Sequence, residues 1–176
     1  MSSTPTLEQI QVYLGEFGLM NQLQSERQAV VTAIPTQHGP QLGYLRIDEE
    51  REVVTLRVPG IFQVVEARRA EVAKGIGMIN YFLVLGKFAL DLRDGELAFD
   101  LPILCAEVGL QQSHLARAFA ALVATFNVHL PQLSELVWSE TAAEEILTKY
   151  RAPDLDDLLR TLQDPAGDGA DEQQSA

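Results

Sequence analysis

The chain has 176 residues, 47% of them hydrophobic, which suits one domain with a sizeable core and a short extension. Its 25 acidic and 13 basic side chains leave a formal net charge of −12, a field that repels phosphate backbones and argues against direct nucleic-acid binding. A single cysteine excludes an intramolecular disulfide, and neither a basic-then-apolar leader nor the ~20 apolar residues of a membrane span is visible, so a cytoplasmic protein with no membrane partner is expected.

Residues 1–5 read as a loose terminus, 6–150 as one α+β domain and 151–176 as an acidic tail. A helix opens at Thr6, with Leu7, Ile10, Leu14 and Phe17 at helical spacing and Gly18 as its stop. Three strand-like runs follow: Ala29–Ile34, Leu42–Asp48 and Val53–Val58. Their short connections, through His38-Gly39-Pro40 and Asp48–Arg51, favour an antiparallel meander. Pro59-Gly60 is read as the end of the third strand.

A longer helix is predicted from about Val64 to Val84. Val65, Val72, Ile76, Ile79 and Leu83 share its apolar face, and Arg68, Arg69 and Glu71 mark the wet side. Gly75 and Gly77 weaken such a helix by roughly 1 kcal/mol each relative to Ala. Mid-helix glycines permit close backbone approach, either to a second copy across a dimer axis or onto the chain's own sheet. Val72, Ile76, Ile79 and Leu83 are the candidate dimer or partner interface.

The run from Asn80 to Leu101 reads as a helix end, a glycine stop at Gly86 and two strands joined by Asp94-Gly95. An Asp-Gly pair between apolar alternations is a strong signal for a two-residue hairpin turn. That turn pairs Arg93 with Glu96, Leu92 with Leu97, Leu90 with Phe99 and Phe88 with Leu101. One face is then apolar, and Asp91, Ala98 and Asp100 take the wet face.

Ser113–Phe126 is predicted helical behind a Ser113 N-cap, with Leu115, Ala118, Phe119, Leu122 and Val123 on its apolar face. Pro131 is expected to interrupt before Gln132–Trp138, and Glu144–Tyr150 continues helix-like. In the tail, Asp154 opens a short helix at 154–163 with Leu155, Leu158, Leu159 and Leu162 at i, i+3, i+4 and i+7, a stripe that docks on its own domain or on a partner. Residues 164–176 lack apolar periodicity and read as disordered. Residues 153–176 carry seven acids against Arg160 alone, half of the total charge.

Candidate chemistry is sparse. His38, His114 and His129 fall in different elements without metal-ligand spacing, and Ser113-His114 lack a nucleophile elbow. Asp91, Asp94, Glu96 and Asp100 cluster on the hairpin, where a solvated face and turn explain them as well as acid–base work does. Cys105 sits among apolar neighbours, the setting of a buried hydrophobe rather than a thiolate. Gly75-Ile-Gly77 lies inside a helical pattern, the wrong context for a phosphate loop. No cofactor, metal or catalytic residue is expected, and the chain is read as non-enzymatic.

One stretch, Ala106-Glu-Val-Gly-Leu-Gln-Gln-Ser-His-Leu-Ala-Arg-Ala-Phe, resembles the helix-turn-helix of AraC-type regulators, with Gly109 as the turn and Ser113–Val123 as recognition helix. That alternative makes the chain a transcription regulator reading DNA through 105–126, with Arg117 as the contact.

The order helix, three strands, helix, two strands, helix, with Asn80 closing the second helix, then Gly86-Lys-Phe88, Asp91, Asp94-Gly95-Glu96 and a long final helix, resembles the YbjN family over roughly residues 6–137. That family shares the fold of type III secretion chaperones. The resemblance implies a helix, a three-stranded meander, a helix, a β-hairpin and C-terminal helices. It also implies a homodimer, chaperone-like or regulatory, that binds a specific protein client along its sheet and helices. A meander's edge strand and apolar patches suit such a role.

Overall fold

The computed structural model describes residues 5–105 and 109–150. Helix α1 (Leu7–Glu16) leads into β1 (Asn21–Gln24), β2 (Ala29–Ile34), β3 (Gln41–Asp48) and β4 (Val53–Gln63). Helix α2 (Arg69–Phe82), strands β5 (Lys87–Leu90) and β6 (Glu96–Leu104), and helices α3 (Gln112–Trp138) and α4 (Ala143–Lys149) complete it. All strand pairings are antiparallel, in one sheet of order β1-β2-β3-β4-β6-β5. The helices bury their apolar residues in one core with one sheet face, where Val30, Leu45, Leu56, Leu97, Phe99 and Leu101 point inward. The class is α+β, as read from the sequence.

Helix α1 starts and stops as its residues require. The Thr6 hydroxyl accepts the Gln9 N–H at 3.2 Å, Ile10 and Leu14 are fully buried, and Gly18 turns the chain at φ +71°. Strand β1 is an addition to the expected meander. Its sequence, Asn-Gln-Leu-Gln, has little strand signal, and its place comes from pairing along β2 with Leu23 opposite Val30. The Met20 carbonyl accepts both the Ala33 N–H and the Thr32 hydroxyl.

Strand β4 does not end at Pro59-Gly60. The ladder to β6 slips between Val58 and Phe62, and the strand resumes beyond the bulge. Proline is tolerated there because a bulged residue needs no ladder donor, and Gly60 supplies φ +60°.

Helix α2 begins at Arg69, after a 3₁₀ turn over Glu66–Arg68. Its apolar face is not a free interface: Val72, Ile76 and Ile79 are at most 5% exposed inside the chain's own core, and Leu83 packs partly buried against it. Gly75 settles the close-approach question within one chain. A Cβ there would lie 2.7 Å from Leu136 Cδ1 of α3 and 3.4 Å from Ala143 Cβ of α4, whereas one on Gly77 would meet nothing within 4 Å.

The β5–β6 hairpin forms with its register two residues from the predicted one. Phe88 faces Phe99, and Leu90 faces Leu97. A shift of two keeps each side chain on its face, where a shift of one would invert it. The turn is longer because side chains cap it. Asp91 Oδ1 accepts the Arg93 N–H at 2.8 Å, Asp94 Oδ1 accepts the Glu96 N–H at 2.9 Å, and the Gly95 N–H reaches the Asp91 carbonyl at 2.7 Å. Leu92 is thereby moved from the paired strand to an exposed loop. Ala98, placed on the wet face, is fully buried.

Pro131 does not break the last helix. Helix α3 runs 27 residues through it, starting after Gln111 rather than Ser113. Proline removes the N–H that would reach the Asn127 carbonyl. In its place the His38 Nε2 lies 3.1 Å from that carbonyl, so the β2–β3 loop takes over the orphaned acceptor. Asn127 Oδ1 accepts the Gln37 N–H at 2.9 Å as well.

The helix-turn-helix reading fails on length. Strand β6 occupies the chain to Leu104, and a first helix of useful length has no room before Gly109. The predicted tail helix at 154–163, with Leu155, Leu158, Leu159 and Leu162, lies outside the described residues.

Candidate functional site

The most exposed apolar feature is a knuckle where α2 ends and turns into β5. Tyr81, Phe82, Val84 and Leu85 are 83%, 78%, 93% and 48% exposed, while Leu83 between them is tucked against the core. The Tyr81 and Phe82 rings sit edge to face, with centroids 5.0 Å apart. Contiguous exposed apolar surface of this kind is a candidate interaction site on a folded protein.

Fixed points on both sides hold the knuckle out. On the helix side, Leu83 donates its N–H to the Asn80 carbonyl at 3.2 Å. On the strand side, Gly86 turns at φ +76° at a point where any Cβ would run into the Phe99 ring. Between them the Asn80 carboxamide makes two 2.9 Å hydrogen bonds to Phe88, accepting its N–H and donating to its carbonyl. Phe88 stacks on Phe126 and packs edge to face on Phe99 below. The Asn80 bonds also occupy the outward backbone groups of Phe88 on a sheet-edge strand, which closes that point to an added strand.

A second feature is the sheet face opposite the helices. Tyr44, Arg46, Thr55, Arg57, Lys87, Asp100 and Pro102 line an open hollow of about 800 Å³ there. Arg57 Nη1 lies 2.9 and 3.0 Å from the two Asp100 oxygens, and Nη2 lies 3.5 Å from Glu96. Arg46 stacks over Tyr44 at 4.8 Å. The Arg57 charge is already satisfied within the sheet.

The four hairpin carboxylates therefore have structural work. Asp94 caps the turn, and Glu96 and Asp100 hold Arg57. Asp91 accepts hydrogen bonds from the Arg93 guanidinium and backbone, which together hold its pKa down to about 2. A carboxylate with a depressed folded-state pKa stabilises the fold above its unfolded value and loses that contribution as pH falls through the folded one. The protection of the Arg93 amide from exchange, relative to its intrinsic rate, is expected to be full at pH 5 and to be lost between about pH 4 and pH 2. Asp91→Asn should flatten that acid dependence; an unchanged profile would remove Asp91 from it.

The histidines stay apart. His38 serves Asn127, His129 Nδ1 lies 2.7 Å from Gln132 Oε1, and His114 Nδ1 is buried without a partner. Among the described residues no cluster of three or more His, Cys, Asp and Glu is placed to hold a metal ion. Burial pushes the Cys105 thiol above its ordinary pKa. Arg117 is exposed on α3 and forms no ion pair among the described residues. No helix among those residues is long and apolar enough to cross a membrane.

The sequence reading placed its candidate interface on the periodic stripe of α2 and did not single out the knuckle. The available signal was the unbroken run Tyr81-Phe-Leu-Val-Leu85: only Leu83 continues the i, i+4 stripe from Ile79, which leaves the other four without a place in the core.

No family model matches the chain. The GTPase Obg of Treponema denticola is 28% identical over 127 residues, which is 69% of this chain and 31% of that protein. The chain thus spans about a third of that relative, and its sequence holds no G-x-x-x-x-G-K-[S/T] stretch. The crystal structure of YbjN from E. coli, a protein proposed to be a transcription regulator, superposes with a TM-score of 0.57 at 11% identity. It covers 74% of this chain and 95% of YbjN. At that identity the likeness concerns architecture: the chain has a YbjN-like α+β fold.

Proposed function

We propose that this chain is a non-enzymatic protein-binding module, chaperone-like or regulatory, that acts as a homodimer on a specific protein client. The observation that carries the reading is the knuckle: two aromatic and two aliphatic side chains held in solvent by Asn80, Gly86 and the half-buried Leu83. Aromatic residues are enriched at the centres of protein interfaces. Exposing this many at one turn is costly unless they are covered in use. The description of YbjN as a regulator supports a regulatory or binding role in general terms. Regulation here works through protein contact, since strand β6 occupies the chain to Leu104, where the first helix of a DNA-reading unit would have to lie.

The test is the triple variant Tyr81→Ser, Phe82→Ser, Val84→Ser. All three side chains are exposed, so the urea midpoint should stay close to wild type. Light scattering should show a wild-type dimer and a monomeric variant. The variant should also lose the protein that copurifies with wild type. A wild-type monomer, or a variant that keeps both dimer and copurifying protein, overturns the reading.

A further inference from the structure

Helix α3 carries a second apolar surface that the knuckle does not use. Phe17 and Leu19 after α1, Ile34 and Pro35 after β2, and Ala116, Phe119, Ala120, Val123, Ala124 and Asn127 of α3 line a groove of about 550 Å³. Alanines floor it on the helix side, which leaves width for the side chains of an incoming helix. The outer side of α3 continues the exposed stripe through Val128 to Trp138, and Arg117 is the one Lys or Arg in the helix.

We infer that this groove is the docking site of the chain's own C-terminal segment, with Leu155, Leu158, Leu159 and Leu162 seated along Asn127–Ala120 of α3. Three observations carry it. The first is where the described chain stops. Tyr150 Oη donates to Glu135 Oε2 at 3.0 Å, and Lys149 Nζ lies 2.9 Å from the same oxygen, so the chain leaves the fold beside Glu135 of α3. Glu135 to Asn127 is eight residues of helix, about 12 Å. Residues 151–154, extended, reach about 13 Å, which brings Leu155 level with Asn127.

The second is length. From Leu155 to Leu162 is seven residues, and so is Asn127 to Ala120; as helices both measure about 10 Å. The i, i+3, i+4, i+7 leucine spacing has the form of an amphipathic helix that fits an apolar groove. The third is charge. Asp154, Asp156, Asp157 and Asp164 surround the leucines, and the one Lys or Arg of α3 is Arg117, which follows the groove-lining Ala116, is exposed, and forms no ion pair among the described residues.

Disulfide trapping in the full chain tests this directly. Ala124→Cys with Leu158→Cys places one thiol in the groove and one on the leucine stripe. Leu42→Cys with Leu158→Cys is the control, because Leu42 is exposed on the opposite sheet face. Ala124 and Leu42 are both exposed, and Cys105 is buried away from exchange. Mild oxidation should give an intrachain disulfide at least tenfold faster in the groove pair than in the control. Equal rates, no crosslink, or a crosslink that joins two chains overturns the inference; the last outcome would assign the groove to a second copy. The result is independent of the knuckle, whose variants leave both groove and tail intact.

Discussion

Gly95→Ala is expected to destabilise the protein by about 3–5 kcal/mol, combining left-handed strain, overpacking and loss of a buried hydrogen bond. Gly95 sits at φ +86°, where a Cβ is strained in any surroundings. Its surroundings are also closed. The new Cβ would press into the Val64 carbonyl oxygen and lie 3.0 Å from Arg69 Nε. The first obstacle is backbone and has no rotamer to give. Relief would require moving the hairpin from the segment before α2, which breaks the 2.8 Å bond from Val64 N–H to the Gly95 carbonyl. Arg69 is drawn in too, since it donates to the Val64, Leu92 and Arg93 carbonyls. Urea unfolding is the measurement. Gly77→Ala, helical with open space around it, is the control and should be neutral or slightly stabilising. Equal midpoints for the two variants would refute the close approach.

Asn80→Ala should cost about 1–3 kcal/mol, because two half-buried backbone groups on the sheet edge lose their partners together. The carboxamide is the partner of both the Phe88 N–H and its carbonyl, and an alanine satisfies neither. Asn80→Asp separates the two contributions. It keeps the acceptor for the N–H and sets a carboxylate against the carbonyl. The cost should be intermediate or greater, and it should ease at low pH as the carboxyl becomes a donor. A further consequence concerns association. With its outward groups uncovered, β5 becomes an open edge, and Asn80→Ala should form larger species as concentration rises. If the variant keeps wild-type stability, Asn80 is not the lock described above.

Much of this architecture was legible because it rests on local rules. Thr6 and Gly18 bound α1, and β-branched runs gave β2, β3 and the first half of β4. The misreadings share a cause: a distant residue changed what a local signal means. Pro131 reads as a helix break until His38, some ninety residues earlier, supplies the missing hydrogen-bond partner. Pro59-Gly60 reads as a strand end until β6 accepts a bulge opposite it. Asp94-Gly95 reads as a two-residue turn until the Asp91 carboxylate and Val64 hold a longer one. Periodicity found Val72, Ile76 and Ile79 as the buried face of α2, while Val65, read onto the same face, is exposed ahead of the helix; burial by the chain itself and burial by a partner leave the same pattern in sequence. The knuckle was hidden for the opposite reason, since hydrophobicity without periodicity was absorbed into a helix that ends at Phe82.

The place of β6 in the sheet also bears on how the chain folds. Strands β1 to β4 follow one another as hairpins, so each pairing closes a short loop. Strand β6 lies beside β4 with Phe99 opposite Val58, and all of α2 and β5 intervene in the chain. Closing that longer loop costs more entropy before any contact repays it. The N-terminal meander can therefore form early with its inner face bare, and arrival of β6 with its Phe99 ring is the committing step. Until then Val54, Leu56 and Val58 stand open to solvent, which makes β4, a strand with no exposed edge in the finished fold, an aggregation-prone surface while the chain is being made.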